Sequence, residues 1–284
     1  MGITKLYLFR ITVHKSHQED IFDTLDDKQE FLKKMISSHP ERKGARATKW
    51  ILGNYSKISS NGMYFRLGRI STKKLSNINS KGDFIENEIK IAPNSHCILD
   101  LENQVLAMTH NNELSFTIVS QGKALERIIN ENLDNFQNFV SVEIRILPDY
   151  VEFVKKIRDS YSVKKFWVKI RRPNPFDIMD DFVNPISKIN NQINSEEIKV
   201  ELKGEDLEKK KLESITGNTT IAGSEGGATI QNDSDSKTET IHLGKNYISV
   251  QTEKEVVNEI YEQLYKSIVD KYNEIKESFN INGK

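Results

Sequence analysis

The chain predicts an α+β fold: two domains of mainly antiparallel sheet backed by helices, the second ferredoxin-like and carrying a long C-terminal helix. Three patterns lead there. Short stretches that alternate apolar and polar residues, as in Val142–Leu147, recur between turn-forming residues, the signature of half-buried strands. A strand–helix–strand unit runs from Val142 to Asp177. A single apolar stripe at helical spacing, Val257, Ile260, Tyr261, Leu264, Ile268, Tyr272, Ile275 and Phe279, closes the sequence.

In order along the chain, Lys5–His14 reads as a strand with Tyr7, Phe9, Ile11 and Val13 on one face. A helix follows over 19–37, closed by His39 and Pro40. Ala47–Ser71 reads as two strands around Ser59-Ser60-Asn61-Gly62, because Asn-Gly favours a tight hairpin. Lys74–Lys90 is polar and reads as a loop, and 96–101 with 105–109 as a second hairpin. Ile118–Asn132 reads as a helix with Leu125, Ile128 and Ile129 inward.

Residues 135–139 mark the expected boundary, giving an N-terminal α+β domain over 1–137 with a basic hairpin and a C-terminal domain over 138–284. There, Val142–Leu147 alternates as a strand. Asp149 caps a helix carrying Tyr150, Phe153, Val154 and Ile157. Phe166, Val168 and Ile170 restore the two-residue period until Pro173 and Pro175 stop the strand. A helix is expected near 176–193, a strand over 198–202 and a short charged helix over 205–214. Thr219–Ile230 and Thr238–Val250, with their glycines, read as hairpins.

Composition narrows the function. One cysteine, Cys97, excludes a disulfide framework and a cysteine-based zinc cluster, and fits a reducing cytoplasm. No apolar run reaches membrane-spanning length and the N-terminus lacks a signal-peptide pattern, so a cytoplasmic protein without a membrane partner is expected. The six histidines lack HExxH spacing, and Gly223–Gly227 lacks the lysine of a phosphate loop, so no metal or other cofactor is expected.

Net charge is zero, yet the charges are segregated. Nine basic residues fall between Glu41 and Lys74 against Glu41 alone, and eight between Lys155 and Arg172 against Asp159 alone. Such windows create local fields that recruit anions. In the first, Arg42, Lys43, Arg46 and Lys49 stand among Trp50, Tyr55, Tyr64 and Phe65, a mixture suited to phosphates and bases but equally to a solvated hairpin over core aromatics. In the second, Trp167, Lys169 and Arg171 share the outward face of a strand, and Arg172 follows at its end. That face suits a phosphate backbone and a stacked base, or a cover of protein. Asp177, Asp180 and Asp181 have the spacing to hold Mg²⁺, although acids there more often cap a helix.

The strand end Val168-Lys-Ile-Arg-Arg-Pro-Asn-Pro-Phe-Asp177 resembles a motif of an uncharacterised bacterial anti-phage-defence family, matched at Arg172, Pro173, Asn174, Pro175 and Asp177. The layout is also similar to RexA-type phage-exclusion proteins, which bind DNA as dimers. The resemblance implies a defence role and supplies no catalytic residues. The expected function is therefore a non-catalytic nucleic-acid-binding component of a phage-defence system, with DNA favoured over RNA and a homodimer or a partner defence protein as company. A metal-dependent nuclease effector and a protein-binding subunit are the alternatives.

Overall fold

The structure is a computed structural model. It describes residues 3–15, 25–45, 48–133, 140–171, 197–221, 225–253 and 261–280, with isolated positions between 185 and 195. The described elements are β1 (Ile3–Lys15), α1 (Leu25–Ser37), β2 (Glu41–Lys43), β3 (Lys49–Lys57), β4 (Gly62–Ile78), β5 (Phe84–Ile91), β6 (Asn94–Asp100), β7 (Val105–Thr109), α2 (Ile118–Glu131) and β8 (Val140–Ile146). They continue with α3 (Val151–Asp159), β9 (Ser162–Arg171), β10 (Glu197–Lys203), α4 (Lys209–Ile221), β11 (Gly226–Gln231), β12 (Thr238–Leu243), β13 (Ser249–Glu253) and α5 (Tyr261–Asn280). This is an α+β chain whose described strands pair antiparallel in two sheets.

The large sheet runs β13-β1-β7-β6-β4-β3-β2, with β8 also on β1 and β5 on β4. Strand β1 lies inside it and is buried on both faces, which its sequence anticipates by carrying apolar residues at both parities. Phe9, Ile11 and Val13 pack with α1 and α2, together with Phe65, Leu67, Leu106, Met108, Leu125, Ile128 and Ile129. Leu6 and Leu8 face α5, whose Leu264, Ile268, Tyr272 and Ile275 cover the other side. The stripe from Tyr261 to Ile275 thus covers a sheet, while Val257, Ile260 and the Phe279 side chain lie outside what the structure describes. Arg10 lies beneath it, 4% exposed, and donates to the Tyr272 hydroxyl at 3.1 Å.

Helix α2 starts where the Thr117 hydroxyl accepts from the Ser120 N–H, a side-chain N-cap. It also closes an edge of the sheet. Asn130 donates to the Val142 carbonyl at 2.7 Å and accepts from the Val142 N–H at 2.8 Å, and Glu126 accepts from the Ile144 N–H at 2.7 Å. These bonds occupy β8 groups that would otherwise template another strand.

The small sheet runs β10-β9-β11-β12. Phe166, Val168, Ile170, Ala228, Ile230, Ile241 and Leu243 form a core with Phe153 and Ile157 of α3 and Leu212 and Ile215 of α4.

Four expectations change. The strand–helix–strand unit does not close within one sheet: β8 joins β1, whereas β9 starts the small sheet. The strands β8 and β13 and the helix α5 all return to the sheet built by the first half, so residue 137 does not separate the two sheets. Lys74–Lys90 is not a loop, since β4 and β5 pair from Ser71↔Ile91 to Ile78↔Phe84. Its strand faces carry so many lysines and glutamates that composition masks the alternation. Thr219–Ile221 belongs to α4, where the buried Thr216 and Thr219 hydroxyls bond the carbonyls four residues back. The helix expected over 19–37 is present as α1 from Leu25 on, its start lying outside the described residues, as does most of the helix expected across 176–193. Among the described residues no helix is long and apolar enough to cross a membrane.

Candidate nucleic-acid interface

The side chains on β9 follow from one irregularity. Thr229 of β11 pairs with Lys165 while Ile230 pairs with Val163, so the register shifts by one and Lys164 is the extra residue. A bulge of this kind lets Val163 and Phe166, three apart, both face the core. Beyond it the alternation is strict: Phe166, Val168 and Ile170 go inward, Lys165, Trp167 and Lys169 outward. The helices α3 and α4 cover the inner side, and the outward side chains keep part of their surface exposed.

Trp167 sits at the middle of that outer face, opposite Glu201 on β10 and Gly227 on β11. Its indole lies directly over Gly227, where a Cβ would come within 2.6 Å of Nε1. The glycine therefore lets the ring lie flat along the sheet. His242 meets the ring edge-on at a centroid distance of 6.3 Å, and the Lys199 ammonium stands 5.1 Å from the ring centroid, a cation–π geometry. The ring is half-buried, with its remaining surface toward solvent.

Around it lies a lattice of ion pairs. Glu201 takes Lys165 at 3.0 Å, Lys203 at 3.1 Å and Lys199 at 3.3 Å. The hydrogen bonds from Lys165 and Lys203 lead in holding its carboxyl down to about 2. Lys169 pairs with Glu225 at 2.8 Å and with Glu197 at 3.6 Å. The face thus carries four lysines and three glutamates, and is basic without being bare.

Next to Trp167 opens a cleft of about 460 Å³ between the two sheets. Trp167, Tyr247, Phe9, Ile146, Pro148 and Leu243 supply apolar walls; Lys123, Arg145, Glu225 and His242 supply polar groups. Size and lining match a site for a small aromatic ligand or a single base.

The first basic window does not form one surface. Arg42, Trp50 and Arg69 lie in register on the α2 side of the sheet, whereas Lys43 and Lys49 point to the opposite face. Arg42 pairs with Glu131 of α2 and Lys49 with Glu41. Arg69 lies 5.6 Å over Trp50 and donates to the Glu113 carbonyl at 2.7 Å. Arg46, Arg172, Asp177, Asp180 and Asp181 lie outside the described residues, and Arg171 is described for its backbone alone, opposite Glu197. Cys97 is fully buried and its thiol is pushed far up by desolvation, which leaves it without nucleophilic character. His96, on the other side of the same strand, shares a hydrogen bond of 2.8 Å with the Tyr64 hydroxyl, and Arg66 donates to that oxygen at 2.8 Å.

Sequence reading found Trp167 and Lys169 but missed Lys165, Lys199, Lys203, Gly227 and His242. The alternation Lys199, Glu201, Lys203 was a signal for one more outward face. Which strand it would adjoin was not. The chain matches no protein-family model and no curated protein.

Proposed function

We propose that this chain binds nucleic acid without cutting it, gripping a single strand across the outer face of the small sheet. The observation that carries this is Trp167: an aromatic ring lying over Gly227 at the centre of a four-stranded sheet, ringed by lysines, with the helices α3 and α4 on the other side. A base stacks on such a ring regardless of its identity, contributing about 1–3 kcal/mol. Lys165, Lys169, Lys199 and Lys203 then meet the phosphates. Their present partners are surface carboxylates, and such pairs contribute only about 0–1 kcal/mol each, so exchange for phosphate costs little. Arg171 and Arg172, next in sequence after Ile170, are expected to add phosphate contacts.

A face that carries glutamates as well as lysines favours a shallow salt dependence over the steep one of a bare basic groove. Single-stranded DNA is the favoured ligand. The likeness of the Arg172–Asp177 motif to a phage-defence family supports placing the grip within such a system. The cleft beside Trp167 favours a second reading, a small ligand with an aromatic ring such as a free nucleotide.

The test is an anisotropy titration with labelled single- and double-stranded DNA and RNA, with unlabelled nucleotides as competitors. Tight single-strand binding that Trp167→Ala weakens supports the grip. Displacement of a strand by micromolar mononucleotide moves the assignment to the cleft. Binding to no strand at low salt ends the proposal. The defence role is tested separately, by phage plaquing on cells expressing wild type or Trp167→Ala.

A further inference from the structure

The β4–β5 ribbon is the least self-sufficient part of the molecule. From Ser71↔Ile91 to Ile78↔Phe84 it is a two-stranded hairpin standing clear of both cores, and among the described residues β5 pairs with β4 alone. Eight paired positions at strand rise make it roughly 26 Å long. Two strands by themselves are marginal in water; stability needs a third strand and an apolar face. This ribbon has the apolar face. Leu75, Ile85, Ile89 and Ile91 fall on one side by register, with Lys73, Asn77 and Asn87 among them, while Lys74, Glu86, Glu88 and Lys90 fall on the other with Ile78 and Phe84. At the tip, Ile78 and Phe84 are 64% and 77% exposed.

The outer edge of β5 is ready to pair. The Asn79 N–H donates to the Asp83 carbonyl at 3.0 Å, so Ile78↔Phe84 is a pair without mutual hydrogen bonds. The alternation of an antiparallel ladder then turns the N–H and C=O groups of Phe84, Glu86, Glu88 and Lys90 outward. Natural edges are kept from pairing by short length, bulges, cover or charged side chains. Of these, among the described residues, β5 has only the charges of Glu86, Glu88 and Lys90, which a partner of complementary order can match.

We propose that this edge is a dimer seam, with β5 of a second copy of the chain pairing antiparallel to it across a two-fold axis at Glu88. The charge order of Phe-Ile-Glu-Asn-Glu-Ile-Lys-Ile supports a second copy over another partner. Antiparallel pairing about Glu88 sets Lys90 opposite Glu86 of the second copy, and Ile91 opposite Ile85, each contact made twice. Lys74 stands opposite Glu88 of its own ribbon by register, and its ammonium pairs with the neighbouring Glu86 at 3.5 Å. Shifting the axis to Asn87 would instead oppose Glu86 to Glu88 twice. Seven residues of each β5 stay paired, and the two ribbons become one four-stranded sheet whose shared face carries Ile85, Ile89 and Ile91 of both copies with Asn87 between them. Joining two ribbons of this length buries several hundred Å² per copy, the order of a small specific interface. The proposal is independent of the nucleic-acid grip on the small sheet.

Light scattering on the full chain over a concentration series tests it. A particle of twice the 32.7 kDa chain mass is expected. Glu86→Lys places two lysines face to face and should raise the dissociation constant at least tenfold, and Glu86→Lys with Lys90→Glu should restore it. Both side chains are exposed, so the far-UV circular dichroism of the monomer should hold in every variant. Glu88→Cys should give a covalent dimer with a short bis-maleimide, and Ser80→Cys at the tip should not. The chain's own cysteine, Cys97, is buried and silent. A wild-type chain that stays at monomer mass overturns the proposal. So does a dimer that is indifferent to Glu86→Lys and does not cross-link through position 88.

Discussion

Two adjacent glycines on β11 should respond to alanine in opposite ways, and the difference isolates Trp167. Gly227 faces outward beneath the indole, and a methyl there comes within 2.6 Å of Nε1 and 2.8 Å of Cε2. Those atoms belong to a side chain with open solvent beyond it, so the ring moves and the backbone does not. Alanine in a strand gains about 0.5–1 kcal/mol over glycine. Pushing the ring off its rotamer costs about 0.5–1.5 kcal/mol. The two nearly cancel, and the melting temperature of Gly227→Ala should stay close to wild type.

Gly226 faces the core. A methyl there meets the Trp167 carbonyl oxygen at 3.1 Å, Val168 Cγ1 at 3.3 Å and Leu243 Cδ2 at 3.6 Å, none of which can swing away. Overpacking of this kind costs about 1–3 kcal/mol, so Gly226→Ala should melt lower. Function should invert the order. Gly227→Ala lifts the platform and forfeits stacking of about 1–3 kcal/mol, a fall in single-strand affinity of roughly 5- to 150-fold. Gly226→Ala, folded below its melting point, should bind normally. Tryptophan emission, compared against Trp167→Phe to remove the Trp50 signal, should shift to the red in Gly227→Ala alone. Unchanged emission and full affinity in Gly227→Ala would refute the claim that this glycine seats the ring and that the ring carries binding.

Gly122→Ala on α2 should destabilise the fold despite alanine's better helix propensity, because its methyl would lie 2.6 Å from Cε1 of the buried Phe9. Thermal melting by circular dichroism should show a net loss of about 1–3 kcal/mol; a stabilised variant would mean the helix can lift from β1 freely. Asn130→Ala strips the partners from the Val142 N–H and C=O, and should cost about 1–3 kcal/mol in urea unfolding, with hydrogen exchange rising at Val142. Burial, with the Arg66 charge second, lowers His96 to about 4 from an ordinary 6.5. The unfolded chain therefore takes up a proton that the folded chain refuses, and stability from this group falls as pH drops from about 6.5 through about 4. The urea midpoint of His96→Asn should fall less between those pH values than that of wild type; equal slopes would place His96 in solvent. Cys97 should label with maleimide only as fast as the chain unfolds, since the thiol is fully buried and held protonated; rapid native labelling would contradict that burial.

Periodicity made the core strands and the covering helices legible. Leu6 to Val13 is apolar at both parities because β1 is buried on both sides, and the α5 stripe lies at 3.6-residue spacing because one face meets the sheet. Strand partners were not legible. Val142–Leu147 and Phe166–Ile170 look like neighbours because a helix joins them, yet β8 pairs with β1 and β9 with β11. Local alternation states that a strand has an inside, and says nothing of which edge it meets. The β4–β5 ribbon was hidden for a related reason: its lysines and glutamates are those of a loop, and cross-strand pairing alone reveals the apolar face.

The same division runs through the candidate site. Sequence alone determined that Trp167 and Lys169 share the outward face of a strand ending at Pro173, because side chains alternate along β structure and proline cannot continue it. It also determined that one cysteine and segregated charge would leave no disulfide frame and two basic windows. Tertiary structure decided that Gly227 lies beneath the indole, that Glu201 gathers three lysines, and that the Arg42–Lys49 cluster divides between two faces. Those facts depend on register between strands distant in the chain, and register is set by the packing of whole faces rather than by any single stretch of residues.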